Sequence, residues 1–192
     1  MDFYELIQET RTYRRFYEDR TVTADQLRTL VRYASLAPSG ANRMPLKYIA
    51  STDSAVNSII FANVTWAAYL PEWGGPKEGE RPAAYLIMLR DTEISKTTAT
   101  DEGIQAEAIM LGAVSMGLGG CIMGAVKRPE LAAALHITAP YEIALVLALG
   151  IPKEKVIIEK IANDGSVKYW HDSANVNHVP KRSVEELLLK EY

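Results

Sequence analysis

Nine consecutive residues, Ile143 to Ile151, carry no polar side chain. Such a run is too short to span a bilayer, which takes about 18 apolar residues or more. It has no polar face at helical period, so it reads as a strand over 143–149 that is buried on both faces. A strand of that kind must be covered from above and below. Among the packings open to a soluble chain, this points to helices interleaved with a sheet, α/β or α+β, and away from a bundle or a sandwich.

Helix starts are legible from side-chain chemistry. Asp2 with Glu5, Thr23 with Gln26, and Ser183 with Glu186 all have the spacing at which two orphan backbone donors are satisfied reciprocally. After Thr23, Leu27, Leu30, Val31 and Ala34 recur at helical period, and Pro38 ends the run. A second amphipathic stretch runs from about residue 100 to 116, with Ile104, Ala108, Leu111 and Ser115 on one face and Gly117 as a left-handed cap. Its small residues Ala106, Ala108, Gly112 and Ala113 would let another backbone approach. Further strands are expected at 46–51, 84–90 and 120–125. A polar hairpin is expected at 156–171, turning at Asn163-Asp164-Gly165. The stretch 63–82, with Trp66, Tyr69, Trp73 and Gly74-Gly75-Pro76, reads as a helix end followed by an aromatic-lined excursion. No linker or repeat divides the chain, so a single domain over 1–192 is expected.

Charge and cysteine content narrow the chemistry. Lys and Arg number 21 and Asp and Glu 24, for a net charge of −3, which leaves no footprint for nucleic acid or an anionic membrane. The single Cys121 excludes an internal disulfide framework and thiolate-rich metal sites, and its apolar surroundings suggest a small buried hydrophobe. His136, His171 and His178 lack metal-ligand spacing. The N-terminus lacks the apolar stretch of a signal peptide, so a cytoplasmic protein is expected.

Three stretches have the composition of binding elements. Arg11-Thr12-Tyr13-Arg14-Arg15 gathers three guanidinium forks and a hydroxyl that suit phosphate oxygens, although it also reads as a solvated charge run. If the backbone is extended there, Arg11 and Arg15 share a side with Tyr13; if it kinks, Arg11, Thr12 and Arg14 can converge on one anion. Ala37 to Pro45 packs Pro38, Ser39, Gly40 and Asn42 between a helix and a strand, as either a binding loop or an ordinary connection. Gly117 to Gly124 crowds glycines where a helix passes into a strand, either to expose strand amides to a flat ligand or to make a tight turn. The glycines precede the strand, so this is not a dinucleotide fingerprint.

Taken in order, these motifs, with Glu107 to Gly124 and with Val179-Pro180-Lys181-Arg182-Ser183-Val184-Glu185-Glu186, resemble the FMN-dependent nitroreductase family. The resemblance implies an α+β fold, with a mixed, mainly antiparallel central sheet flanked by helices, in an intertwined homodimer with FMN at the interface. It implies that Arg11, Thr12 and Arg14 hold the flavin phosphate with Lys181 or Arg182. Pro38, Ser39, Gly40 and Asn42 would come from the other subunit to the ring and ribityl chain. Ile122, Met123 and Gly124 would lie against the ring, with the Met123 and Gly124 amides near N5 and O4. Asn63 falls where the family often has an amide against the flavin. Trp66 stands where a base is often found and, with Tyr69 and Trp73, is a candidate wall of the acceptor pocket. Thr12 departs from the usual Ser but keeps the hydroxyl.

The implied activity is a ping-pong oxidoreductase. NAD(P)H delivers hydride to flavin N5, and a nitroaromatic, quinone or similar conjugated acceptor then takes its place, so that the flavin and not a side chain carries the chemistry. A specialised flavin enzyme with one metabolite substrate and a non-catalytic FMN storage or sensing protein are the alternatives. No metal, nucleic-acid or membrane partner is expected.

Overall fold

A computed structural model describes residues 1–192. Contacts within the chain gather into two compact units: residues 1–66 with 75–153, and residues 67–74 with 154–192. Each is taken by itself below.

The first unit is built on a four-stranded antiparallel sheet. Its strands are β1 (Leu46–Ser51), β2 (Ala84–Asp91), β3 (Gly119–Met123) and β4 (Tyr141–Gly150), in the order β1-β2-β4-β3. The apolar run at 143–151 is, as its composition implies, a central strand hydrogen-bonded on both edges. The N-terminal segment extends the sheet beyond β3: Thr12 bridges Gly120 in parallel, and the Tyr13 amide donates to the Gly120 carbonyl at 2.9 Å.

All three reciprocal caps form. They start α1 (Phe3–Glu9), α2 (Ala24–Leu36) and, in the second unit, α6 (Val184–Leu187). Helix α4 (Ala99–Ser115) ends with Gly117 at φ +73°, where the Gly117 and Leu118 amides return to Val114 and Ala113. Two helices carried no strong sequence signal. These are α3 (Ser54–Ala62), capped by the Asp53 carboxylate on the Val56 amide, and α5 (Arg128–Ala134), which has Pro129 in its first turn. The core joins Leu27, Leu30 and Ala34 of α2, Ile109, Met110 and Ala113 of α4, and Leu86, Met88, Leu147 and Leu149 of the sheet.

The face of α4 that carries Ile104, Ala108, Leu111 and Ser115 is not its buried one. Its buried side carries Asp101, Gln105, Ala106, Ile109, Met110, Gly112 and Ala113, whereas Ile104 is exposed and Ala108 and Leu111 are half-buried. Two polar residues on the buried side mask its period: Gln105 accepts from the Tyr48 hydroxyl at 2.6 Å, and Asp101 binds the loop before β1. Of the small residues, Gly112 serves α2 of the same chain. A Cβ on Gly112 would stand 2.4 Å from the Tyr33 ring, so Gly112 is spent inside the chain.

The second unit holds β5 (Val156–Lys160), β6 (Trp170–His171) and β7 (Asn177–Lys181) in the order β5-β7-β6. The expected turn forms, with Gly165 at φ +71° and its amide bonded to the Ala162 carbonyl. The expected hairpin does not, because β7 pairs with β5 in parallel and with β6 antiparallel and so takes the edge that a hairpin would have used. His178 of β7 is clasped: Nδ1 lies 2.5 Å from Glu159, Nε2 lies 3.3 Å from Asp172, and the ring stacks on Trp170 at 4.8 Å. The bond to Glu159 first, and then that to Asp172, raises the His178 pKa above its ordinary 6.5. Asp172 is lowered, chiefly by the Val176 amide.

A raised folded pKa means stability that is fully present below the ordinary histidine value and is lost as pH rises through the raised one. Wild type is therefore expected to exceed His178→Gln in urea midpoint in mildly acidic buffer. The two should converge on the alkaline side of the raised pKa. A gap independent of pH would show that the clasp is held by packing alone.

Candidate active site

The segment after α1 sorts its cations. Arg15 donates Nε and Nη2 to the Glu80 carboxylate at 2.9 and 2.8 Å, and Lys153 adds a 3.2 Å contact to the same group. Backbone bonds run alongside, from the Phe16 amide to Glu80 and from the Lys153 amide to Arg15. The Arg15 bonds above all hold the buried Glu80 carboxyl down to about 2. Arg15 is thus a structural anchor and is not on offer to a ligand.

Arg11 is different. Its Nη2 caps the end of α1 on the Ile7 carbonyl at 2.7 Å, but its Nε is buried without a hydrogen-bond partner. A buried cationic donor left unpaired is costly unless an acceptor arrives from outside the chain. Thr12 is exposed and Arg14 half-buried on the same segment. Tyr13 turns inward and donates its hydroxyl to the Glu9 carbonyl at 2.9 Å.

The loop between α2 and β1 is both strained and braced. Ala41, Asn42 and Met44 all have left-handed backbones, with φ of 51°, 54° and 49°. Such positions cost on the order of 1–3 kcal/mol each and persist only where the surroundings impose them. Asp101, in the first turn of α4, imposes them here. Its carboxylate accepts from the Ser39 hydroxyl at 2.5 Å and the Gly40 amide at 2.9 Å, and the Ser39 oxygen in turn accepts from the Met44 amide at 2.9 Å. The Ser39 proton is therefore committed to Asp101, while Gly40 and Asn42 lie exposed with Pro38. In the sequence Asp101 shows only as an acid in a first helical turn.

In the glycine-rich stretch, Gly119 and Gly120 serve packing and do not open the strand to a ligand. A Cβ on Gly119 would lie 2.5 Å from the Tyr13 ring, and one on Gly120 would lie 2.6 Å from the Ala148 carbonyl oxygen. Gly124 is open, and a Cβ there would have no neighbour nearer than 3.9 Å. Ile122 presents its side chain outward and Met123 is buried. Cys121 is buried, as its apolar context implied.

Asn63 caps α3, and its side-chain amide donates to the Ile59 carbonyl at 2.9 Å. Trp66 is buried against Phe61, with ring centroids 5.9 Å apart, and beneath Gly75; its indole nitrogen has no partner. In the second unit, Tyr69 packs on Tyr169 at 5.1 Å and Trp73 meets the His171 ring edge-on at 5.7 Å. Lys181 is exposed at the end of β7, and Arg182 pairs with Glu186 at 3.2 Å.

Comparison with known proteins supplies the frame for these residues. A model of the nitroreductase family matches residues 7–151. A protein of Archaeoglobus fulgidus, provisionally named an NADH dehydrogenase/NAD(P)H nitroreductase, is 27% identical over an alignment of 154 residues, and the match covers 76% of this chain and 83% of that one. Among solved structures, one from Desulfovibrio desulfuricans, provisionally described as a nitroreductase in complex with FMN, superposes with a TM-score of 0.69. It is 22% identical, and the match covers 98% of this chain and 96% of that one. A nitroreductase family protein of Clostridium novyi gives a TM-score of 0.67 at 23% identity, covering 80% and 86%.

Proposed function

Because the chain belongs to the nitroreductase family, we propose that it is an FMN-dependent oxidoreductase, taking hydride from NAD(P)H and reducing a nitroaromatic, quinone or similar conjugated acceptor. The observation that carries the cofactor is the buried, unpartnered Nε of Arg11. A flavin phosphate is the kind of acceptor it lacks, and charge-assisted bonds of that type are roughly twice as strong as neutral ones. Arg14 and the Thr12 hydroxyl would complete the phosphate set. Pro38, Gly40 and Asn42, held out by the Asp101 brace, would meet the ring and ribityl chain.

Bound FMN supplies the hydride-accepting ring. The chain's part is to position it and set its electrostatics. Open backbone at Gly124 lets a flat ring approach the end of β3, and amide donors at Met123 and Gly124 would favour negative charge there. Ile122 would give the ring an apolar contact. One cleft serving donor and acceptor in turn requires them to alternate.

A homodimer is part of the same reading. Leu36, 78% exposed, lies with Tyr33, Pro38, Ile104, Ala108 and Leu111 along an apolar groove that runs up to the braced loop. A second copy covering this groove would bring its own Pro38–Asn42 loop to the first copy's flavin. Sedimentation at twice the 21.3 kDa chain mass is the expected result.

Arg11→Ala tests the phosphate role. It should leave the fold intact and weaken FMN binding by about 1.5–3 kcal/mol, the range for a hydrogen bond to a charged group, or roughly 10- to 150-fold. Flavin fluorescence titration reads this directly, and unchanged affinity would remove Arg11 from the site. Steady NAD(P)H oxidation with menadione or nitrofurazone separates an enzyme from a yellow but inert storage protein.

A further inference from the structure

A cavity of about 230 Å³ opens in the first unit where α3 begins and the chain enters β2. Its wall includes Glu18, Thr52, Ser54, Phe61, Arg81 and Tyr85. None of these belongs to the residues that carry the flavin reading, so the two stand or fall separately. A water's share of liquid volume is roughly 30 Å³, so the space suits a small organic molecule better than a single bridging water.

Two of these lining residues each carry a buried polar atom with no hydrogen-bond partner in the chain: the hydroxyl of Tyr85, a residue 1% exposed, and Nε of Arg81. Buried donors left unpaired are uncommon and costly, and an atom that faces a cavity can be satisfied by what fills it. Burial raises the Tyr85 phenol far above its ordinary range against the opposing charge of Arg81, so it stays a hydroxyl and a donor. The Arg81 guanidinium lies over the Phe61 ring, 4.6 Å from its centroid. Glu18 does not neutralise it. One Glu18 oxygen instead accepts from the Gly79 amide at 2.5 Å and the Arg81 amide at 3.2 Å. One cavity thus holds a cation and an anion that are not paired with each other.

We propose that this cavity binds a small zwitterion of the α-amino acid class, its carboxylate received by Arg81 Nε and the Tyr85 hydroxyl and its ammonium group by Glu18. Opposite charges kept apart by packing suit a ligand whose own charges are separated by one carbon. They disfavour a simple anion or cation, which would leave one wall charge unanswered.

The test is a titration of the 192-residue protein, with and without added FMN, with L-alanine, acetate and methylammonium, followed by amide NMR shifts. L-alanine at millimolar concentration should give saturable shifts at Ser54, Phe61 and Tyr85, and the two single-charge probes should bind at least tenfold more weakly. Tyr85→Phe removes only an atom that has no partner in the chain. It should keep the remaining spectrum and the FMN affinity while weakening L-alanine binding roughly tenfold. The proposal is overturned by an absence of saturable shifts with L-alanine, by acetate binding as tightly as L-alanine, or by unchanged L-alanine affinity in Tyr85→Phe.

Discussion

Glu80→Ala is expected to destabilise the protein by about 3–5 kcal/mol at neutral pH, the cost of leaving buried charges without their counter-ion. The carboxylate is 7% exposed and holds both Arg15 and Lys153. Its removal strands the Arg15 guanidinium, itself only 18% exposed. The effect reaches the candidate site, because the same segment carries Arg11, Thr12 and Arg14. Glu80→Gln, which keeps the volume and one acceptor, should lose less. The pH dependence has a definite sign. A carboxylate with a depressed folded pKa contributes stability that is present above its ordinary value of 4.5 and lost as pH falls towards about 2. Urea midpoints of wild type and Glu80→Gln should therefore approach one another between those values. A gap that persists unchanged to the acid end would show that Glu80 matters for shape and not for charge.

Gly120→Ala is the second large effect, at about 3 kcal/mol, the upper end for overpacking. A Cβ there would stand 2.6 Å from the Ala148 carbonyl oxygen, 2.9 Å from the Met110 sulfur and 3.0 Å from Leu149. Methionine and leucine side chains can swing aside, but the carbonyl belongs to the central strand β4 and cannot. Relief must come from moving β3, and that strand carries both the Thr12 bridge and the open end at Gly124. The variant should thus lose FMN affinity along with stability. Gly124→Ala, which has room, should keep its stability, so that any loss of FMN affinity there reports the ring's approach. Full stability in Gly120→Ala would refute the packing account.

What could be read from residues alone was what neighbours in sequence settle between themselves. The caps at Asp2, Thr23 and Ser183 are closed by groups three residues away, so their chemistry is complete within the local stretch. The 143–151 run announced a strand buried on both faces because no partner can make nine apolar residues a surface. Gly117 and Gly165 marked turns through backbone freedom that other residues lack.

Only the tertiary structure decided matters of partnership. The hairpin expected at 156–171 had its turn but not its pairing, since β7 competes for the same edge and its register is set by hydrogen bonds along both flanks. The buried side of α4 is hidden in the sequence because Asp101 and Gln105 look like surface residues until Ser39, Gly40 and Tyr48, more than fifty positions away, satisfy them. Three arginines stood alike at 11, 14 and 15. Glu80, 65 residues on from Arg15, claims that one for the fold, whereas Arg11 keeps a buried Nε with no hydrogen-bond partner, the group on which the proposed phosphate role rests. A charge announces itself in the sequence, but whether it is answered depends on what the folded chain brings within 3 Å of it.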